Sequence, residues 1–327
     1  MATKYVTFNY FEPVLVEAEQ VLEVELNQEN EDEQYQGDLW DMQACMDYLS
    51  VANNNQDFSY TLGDEYADVE PGSFIIQGSH AHIQVSKLRE TNIPAKKRIG
   101  EIKEEILLND DEYIGEFNSI LYDETLQVLM VQSNHYGLST KQLENYLTEL
   151  RFRHLESIGH DDVDRPIMVK LNPIIDYQQI EDALRADYYR KIRIRGADLR
   201  EDAYHEDRAD LINEVARTVS RTHGVNIDLQ ISVGRAERTR SLDNETIRNT
   251  LEVFRDTPEN RRPNIEVTLL DNEESQIETI NLIRPRLHDR VPFTIAPRTI
   301  IRHEYVCEKM METYTRRRSH LRRVLVR

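Results

Sequence analysis

Residues Asp111–Leu150, DEYIGEFNSILYDETLQVLMVQSNHYGLSTKQLENYLTEL, decide the fold class. Tyr113 to Tyr122 alternates as a half-buried strand does, Asp123-Glu124-Thr125 supplies a turn, and Leu126 to Gln132 returns as a mostly apolar second strand. This pattern predicts a hairpin. After His135-Tyr136-Gly137, Ser139 stands at a helix N-cap, with Gln142 three residues on to reach back to it. Leu143, Tyr146, Leu147 and Leu150 then share one helical stripe. Hairpin plus amphipathic helix predicts an α+β protein.

Outward from that stretch, the length of 327 residues predicts two domains. No apolar run approaches the length that spans a bilayer, no charged-then-apolar leader opens the chain, and only Cys45 and Cys307 are available as thiols. A cytoplasmic protein without direct membrane insertion or a disulfide framework is expected. The net charge of −20 argues against a nucleic-acid partner until its distribution is read. Residues 1–150 carry 8 Lys and Arg against 29 Asp and Glu, whereas residues 151–327 carry 32 against 31. The excess acid sits in the first half. The cations of the second half are nearly all arginine, the head group suited to bidentate phosphate contacts, or else to pairing with the equally many acids.

In the first half, Lys4 to Phe11 and then VEAEQVLEVELNQ read as two strands, Glu29 to Glu33 as an acidic loop, and Asp38 to Ser50 as a short helix with Leu39, Met42, Met46 and Leu49 on one face beside Trp40. Asn53 to Asn55 mark a loop, followed by strand-like FSYTLG, GSFIIQG and AHIQVSKLRE. His80 and His82 would share one side of a strand; no third ligand follows, so packing is the simpler role. Ala95 to Asn109 carries Ile99, Ile102, Ile106 and Leu107 at helical spacing, with Lys96-Lys97-Arg98 at its start. The polar run Glu156 to Pro166, which includes His160, Asp161, Asp162 and Asp164, reads as a linker. Four segments are therefore expected: an acidic α+β domain over 1–155, a linker over 156–166, an Arg-rich α+β domain over 167–296, and a C-terminal helix over 297–327 that packs on the first domain or on a second copy.

In the second half, IMVKLNPII is a strand ending at Pro173, and Asp176 stands as cap of a helix. YYRKIRIRGADL follows, with Arg190 before it turns strictly alternating: Lys191, Arg193 and Arg195 on one face, Ile192 and Ile194 on the other, the cations about 6.7 Å apart along the strand. That spacing matches successive phosphates, and equally an exposed strand face neutralised by nearby acids. Glu206 to His223 reads as a helix capped by Gly224, with Arg208, Arg217 and Arg221 outward; Arg235, Arg238 and Arg240 follow the strand VNIDLQISVGR. A helix from Asp243, two strands around an acidic turn, a Pro-containing loop over 285–297 and a long helix from Arg298 complete the chain. The terminal helix carries Arg316, Arg317, Arg318, Arg322 and Arg323, more than its dipole requires.

No phosphate-binding glycine loop, dinucleotide fingerprint, nucleophile elbow, paired-cysteine zinc motif or HExxH is present, and no cofactor is expected. A metal-dependent nuclease would need an acidic pair followed by Glu-x-Lys at a strand end, which is missing. The order of elements, from hairpin and capped helix through the Pro-ended strand and the Asp-Glu turn to the long terminal helix, resembles the RexA family of phage exclusion proteins. That resemblance implies a homodimeric, sequence-independent binder of double-stranded DNA, acting in bacterial or prophage defence with a membrane-protein partner. This chain departs from the family in a longer, more acidic N-terminal region. The expectation is a non-catalytic DNA-binding protein using Arg190, Lys191, Arg193, Arg195, Arg217, Arg221, Arg235, Arg238, Arg240, Arg316, Arg317, Arg318, Arg322 and Arg323. The alternatives are an interaction protein whose acidic N-terminal domain engages a partner, and a metal-dependent nuclease.

Overall fold

The computed structural model describes residues 2–27, 34–52, 56–160, 166–197, 211–223, 226–257, 262–273, 277–283 and 285–325. In chain order the elements are β1 (Ala2–Glu17), α1 (Ala18–Asn27), β2 (Asp38–Leu39), α2 (Gln43–Ala52), β3 (Tyr60–Leu62), β4 (Glu65–Val69), β5 (Ile75–Gln77), β6 (His80–Arg89), β7 (Ile114–Asp123), β8 (Val128–Gln132) and α3 (Thr140–Ser157). There follow β9 (Ile167–Pro173), α4 (Gln178–Arg185), β10 (Tyr188–Ala197), α5 (Leu211–Thr222), β11 (Asn226–Ser232), α6 (Asn244–Asp256), β12 (Asn264–Leu270), β13 (Glu278–Asn281), β14 (His288–Ile295) and α7 (His303–Val324). The chain is α+β with antiparallel sheets and a long C-terminal helix. Among the described residues no helix is long and apolar enough to cross a membrane.

Two compact units result: Met1–Ile174 with Leu287–Arg327, and Ile175–Arg286. The first is built on β1, a sixteen-residue strand rich in β-branched and aromatic side chains. One of its edges pairs with β14 and then β9; the other pairs with β8 and then β2. Pro13, which has no N–H to give, lies between the last β8 pair at Phe11 and the first β2 pair at Val14. The sheet continues through β7, β6, β4 and β3. On one face Ile83, Val85, Ile120 and Leu129 pack with Met46 and Leu49 of α2 and Leu143, Tyr146 and Leu150 of α3. On the other face Phe8, Leu121, Met130 and Phe293 pack with Val306, Met310 and Tyr314 of α7. Each such buried side chain contributes about 1.5–3 kcal/mol.

The hairpin is β7 with β8, and α3 carries the expected capping box: Gln142 N donates to Ser139 Oγ at 3.2 Å, and Ser139 N donates to Gln142 Oε1 at 3.1 Å. The second unit is a four-stranded sheet, β11-β10-β12-β13. Ile192, Ile194 and Val267 pack there against Ile180 of α4, Val215 of α5 and Leu251 and Phe254 of α6.

Several expectations change. The second N-terminal strand is instead the end of β1 followed by α1, because alternation stops at Glu17 and a run of Ala, Glu, Gln and Leu takes over. The helix over Ala95–Asn109 does not form: Gly100 takes φ +83°, Lys96 and Glu104 bridge as an antiparallel pair, and Ile99, Ile102 and Leu107 are exposed. Helical spacing yields a helix only where a surface receives the stripe. The expected loop over 285–297 contains β14, an outermost strand in which Pro292 is tolerated opposite Tyr5. The boundaries of the units fall at 174/175 and 286/287 instead of at 156–166 and 296/297, because β9 pairs along β1 and β14 returns to the same edge. Asp176 accepts from Gln178 N at 3.2 Å, one position ahead of the cap at Tyr177. The acidic loop at Glu29–Glu33, Asn53–Asn55, Asp161, Asp162, Asp164, Arg208 and Gly224 lie outside the described residues.

Candidate nucleic-acid interface

On β10, Ile192 and Ile194 are buried and Lys191, Arg193 and Arg195 take the opposite face. Among the described residues, the helices of the second unit pack on the Ile192 and Ile194 side, and β11 alternates exposed and half-buried residues along its whole length. The register sets Arg193 opposite Gln230 and Glu266, and Arg195 opposite Asp228 and Asn264. Both guanidiniums reach diagonally to a carboxylate. Arg193 Nε donates to Asp228 Oδ1 at 2.8 Å with Nη2 on the second oxygen, and Arg195 Nη2 donates to Glu266. The Arg193 hydrogen bond holds the Asp228 carboxyl below its ordinary range. Two of the three aligned cations are therefore answered in part, by pairs that are themselves partly exposed to solvent.

The remaining expected residues divide by what they touch. Arg217 and Arg221 lie one turn apart on the exposed side of α5. Arg235, Arg238 and Arg240 are exposed on the loop after β11, and Arg190 is turned onto the carbonyls of that loop. On α7, Arg316, Arg322 and Arg323 are exposed, whereas Arg317 and Arg318 turn toward the sheet. Arg317 grips Asp289 through Nε at 3.1 Å and Nη2 at 2.6 Å, and the same carboxylate accepts the Tyr10 hydroxyl at 2.8 Å. Arg318 Nε lies 3.3 Å from Asp123 Oδ2, which accepts the Tyr314 hydroxyl at 2.8 Å. The structure thus uses Arg190, Arg317 and Arg318 to hold the protein's own groups.

The division into units also redraws the charge. Residues 175–286 carry 18 Lys and Arg against 23 Asp and Glu, while residues 287–327 carry 10 against 4. The positive excess of the second half belongs to the α7 segment, which is part of the acidic first unit.

Sequence reading missed a buried polar strip beneath α7. His80, His82, Ser119 and Asp123 on β6 and β7 face His303, Cys307, Tyr314 and Arg318. Burial pushes the Asp123 carboxyl up, but hydrogen bonds from His80, Tyr314 and the Thr125 amide, with the Arg318 charge, outweigh it and hold it well below the usual range. His82 is fully buried with neither ring nitrogen hydrogen-bonded, and burial, helped by His303 and His80, lowers it to about 4. His303 bridges Ser119 Oγ at 3.0 Å and the Ser73 carbonyl at 2.8 Å. Cys307 lies 3.3 Å from the His303 ring, but burial and then Glu304 push its thiol up to about 12, so it stays protonated. Among the described residues no group of three or more His, Cys, Asp and Glu is arranged to hold a metal. The signal present in the sequence was the pair His80 and His82 at alternate positions of β6, with the apolar Ala81, Ile83 and Val85 on its other face.

A cavity of about 310 Å³ opens at the amino end of α3, lined by Asn9, Asn118, Gln132, Asn134 and Leu143. Its amides serve the fold. Asn118 accepts from Leu138 N at 2.8 Å and donates to the Gln132 carbonyl at 2.9 Å, and Asn134 donates to the Phe117 carbonyl at 3.0 Å.

A family model described as a family of unknown function (DUF6731) matches residues 1–322, and the chain belongs to that family. No curated protein matches the chain.

Proposed function

We propose that this DUF6731 protein is a non-catalytic, sequence-independent binder of double-stranded DNA that works through the phosphate backbone. The setting we propose is the one that the RexA resemblance implies: phage exclusion by a bacterial or prophage system, as a homodimer with a membrane-protein partner. The observation that carries the binding reading is the open face of β10, where Lys191, Arg193 and Arg195 repeat at the spacing of backbone phosphates over a buried Ile192 and Ile194. Exposed Arg221 on α5 and Arg316, Arg322 and Arg323 on α7 support it. The paired carboxylates Asp228 and Glu266 oppose it, so affinity is expected to be modest and steeply dependent on salt.

The test is binding of the full chain to a random-sequence 40-mer duplex across a salt series. Reversing Lys191, Arg221, Arg322 and Arg323 to glutamate, all surface changes, is expected to weaken binding at low salt by at least about tenfold and to flatten the salt dependence. Binding that is unaffected by these changes, or no binding at low salt by the unaltered protein, would sink this reading.

A second reading, an interaction protein acting through its acidic first unit, is favoured by a separate observation. Ile99, Ile102 and Leu107 stand out from residues 95–109 almost wholly exposed. Three large aliphatics in so short an exposed stretch are the kind of surface that another protein covers. Retention of a partner by the full chain, abolished by Ile99, Ile102 and Leu107 to serine, with no DNA binding, is the outcome that would select it.

A further inference from the structure

The sheet of the second unit is closed at one edge and open at the other. On the side that carries the helices, Ile265 and Val267 of β12, Ile192 and Ile194 of β10, and Ile280 of the outer strand β13 are all buried. The row continues onto β11 as Ile227, Leu229 and Ile231, and there it is only half covered. Among the described residues no strand pairs with the outer side of β11. Edge strands are usually blunted by a proline, a lysine or a bulge. Over its seven residues β11 has no proline and a single charge, Asp228, and its register with β10 runs unbroken from Asn226 opposite Ala197 to Ser232 opposite Lys191.

The backbone fixes which groups are offered at that edge. Val233 N donates to the Arg190 carbonyl at 3.0 Å, and in the same register Ile231, Leu229 and Ile227 turn their backbone polar groups to β10. Asn226, Asp228, Gln230 and Ser232 therefore aim N–H and C=O outward. The strand, Asn-Ile-Asp-Leu-Gln-Ile-Ser, has the same pattern of residue classes in both directions about Leu229. Antiparallel pairing of two copies about Leu229 sets outward groups against outward groups, Ile227 opposite Ile231, and Asp228 opposite the Gln230 amide. A centre at Asp228 would set two carboxylates against each other, and one at Gln230 would leave Asn226 and Ile227 beyond the end of the partner strand. A centre between two residues would set outward groups against inward ones.

We propose that β11 is an interface between two copies of this chain, paired antiparallel about Leu229 on a twofold axis normal to the sheet. The occupant is a second copy because the strand is complementary to itself in backbone polarity, side-chain class and charge. Two four-stranded sheets then join as one, and the aliphatics of each β11 cover the half-open row of the other. The two β10 strands lie three strand spacings apart, about 14 Å, so Lys191, Arg193 and Arg195 of both copies stand on one continuous face. This interface rests on the homodimer in the reading above and does not depend on DNA binding.

The test is sedimentation equilibrium of the full chain, without DNA, over a concentration series. Gln230→Glu puts a carboxylate opposite Asp228 at two symmetry-related places and is expected to raise the dimer dissociation constant about tenfold. Gln230→Lys puts an ammonium there and is expected to hold or lower it. Gln230 is exposed, so both variants keep the fold, which circular dichroism checks. Leu229→Cys reports the register. Leu229 meets its own copy as a non-hydrogen-bonded pair with Cα atoms about 4.5 Å apart, so mild oxidation should link two chains. The native Cys45 and Cys307 are buried and give no such link. Ile231→Cys, which faces Ile227, should not link. A dimer indifferent to both charges at Gln230, or linked as readily through Ile231→Cys as through Leu229→Cys, overturns this interface and leaves the homodimer standing. A monomer at every concentration overturns both, and leaves DNA binding to the salt series.

Discussion

His82 illustrates how one residue ties the fold to pH. It sits fully buried on β6, and burial, helped by His303 from α7 and His80 on the same strand, lowers it from 6.5 to about 4. A histidine with a depressed folded value is neutral in the fold and takes a proton more readily when unfolded. Its contribution is complete above pH 6.5 and is lost as pH falls from 6.5 toward 4, by roughly 3 kcal/mol. His303, also lowered by burial, adds in the same direction. Asp123 is held below its ordinary value, so its contribution is lost only at more acidic pH. Urea midpoints at pH 7 and pH 4.5 should therefore differ strongly, and His82→Leu should shrink the difference; an unchanged difference would refute the assignment. The alternating run that contains His82 made a strand legible, but its burial was not legible, because α7 arrives from more than two hundred residues away.

At the scale of elements, α3 and β9 are joined by a buried ion pair. Lys170 Nζ lies 3.2 Å from Glu144 Oε2, with both side chains almost wholly buried, and Glu144 Oε1 accepts from Leu171 N at 3.0 Å. Tyr35 covers the ammonium, 4.8 Å from its ring centroid. Such a pair adds little over a well-packed apolar one, but breaking it leaves a charge stranded. Glu144→Ala is expected to cost about 3–5 kcal/mol in denaturant unfolding. Glu144→Ala combined with Lys170→Met should recover much of that loss; equal losses in the single and double variants would contradict the pairing. The helix half of this contact was readable from Ser139, Gln142 and the leucine stripe, all local. The strand half was read as the opening of another domain, because nothing near Lys170 in sequence reveals that β9 lies along β1.

For the molecule as a whole, the decisive fact is insertion. Ile175–Arg286 enters and leaves at adjacent points: Leu287 N donates to the Ile174 carbonyl at 2.7 Å, and Ile175 and Arg286 bridge as an antiparallel pair. Both flanking strands, β9 and β14, line the same edge of β1. Residues 175–286 alone, and the chain with 174 joined to 287 by a short Gly-Ser linker, should therefore each fold and unfold cooperatively, as followed by circular dichroism. Failure of both pieces to fold would show that the two units stabilise each other. The expected division of the chain into consecutive domains missed this arrangement, since a return to the first unit after more than a hundred residues leaves no mark in local composition.

What the sequence determined by itself was everything that local physics controls. The β7–β8 hairpin follows from alternation and the Asp123 turn, the α3 start from Ser139 and Gln142, and the cation face of β10 from the two-residue period of a strand. These depend on neighbours within a few positions. Tertiary structure alone decided which patterns found a partner. Helical spacing over 95–109 met no surface and formed no helix, while 288–295 became a strand because the edge of β1 was free to receive it. It also decided which arginines were already answered: Asp289 for Arg317, Asp123 for Arg318, and the loop carbonyls for Arg190. Charge and periodicity are properties of the chain, whereas burial and pairing depend on groups distant in sequence that only the folded chain brings within hydrogen-bond reach.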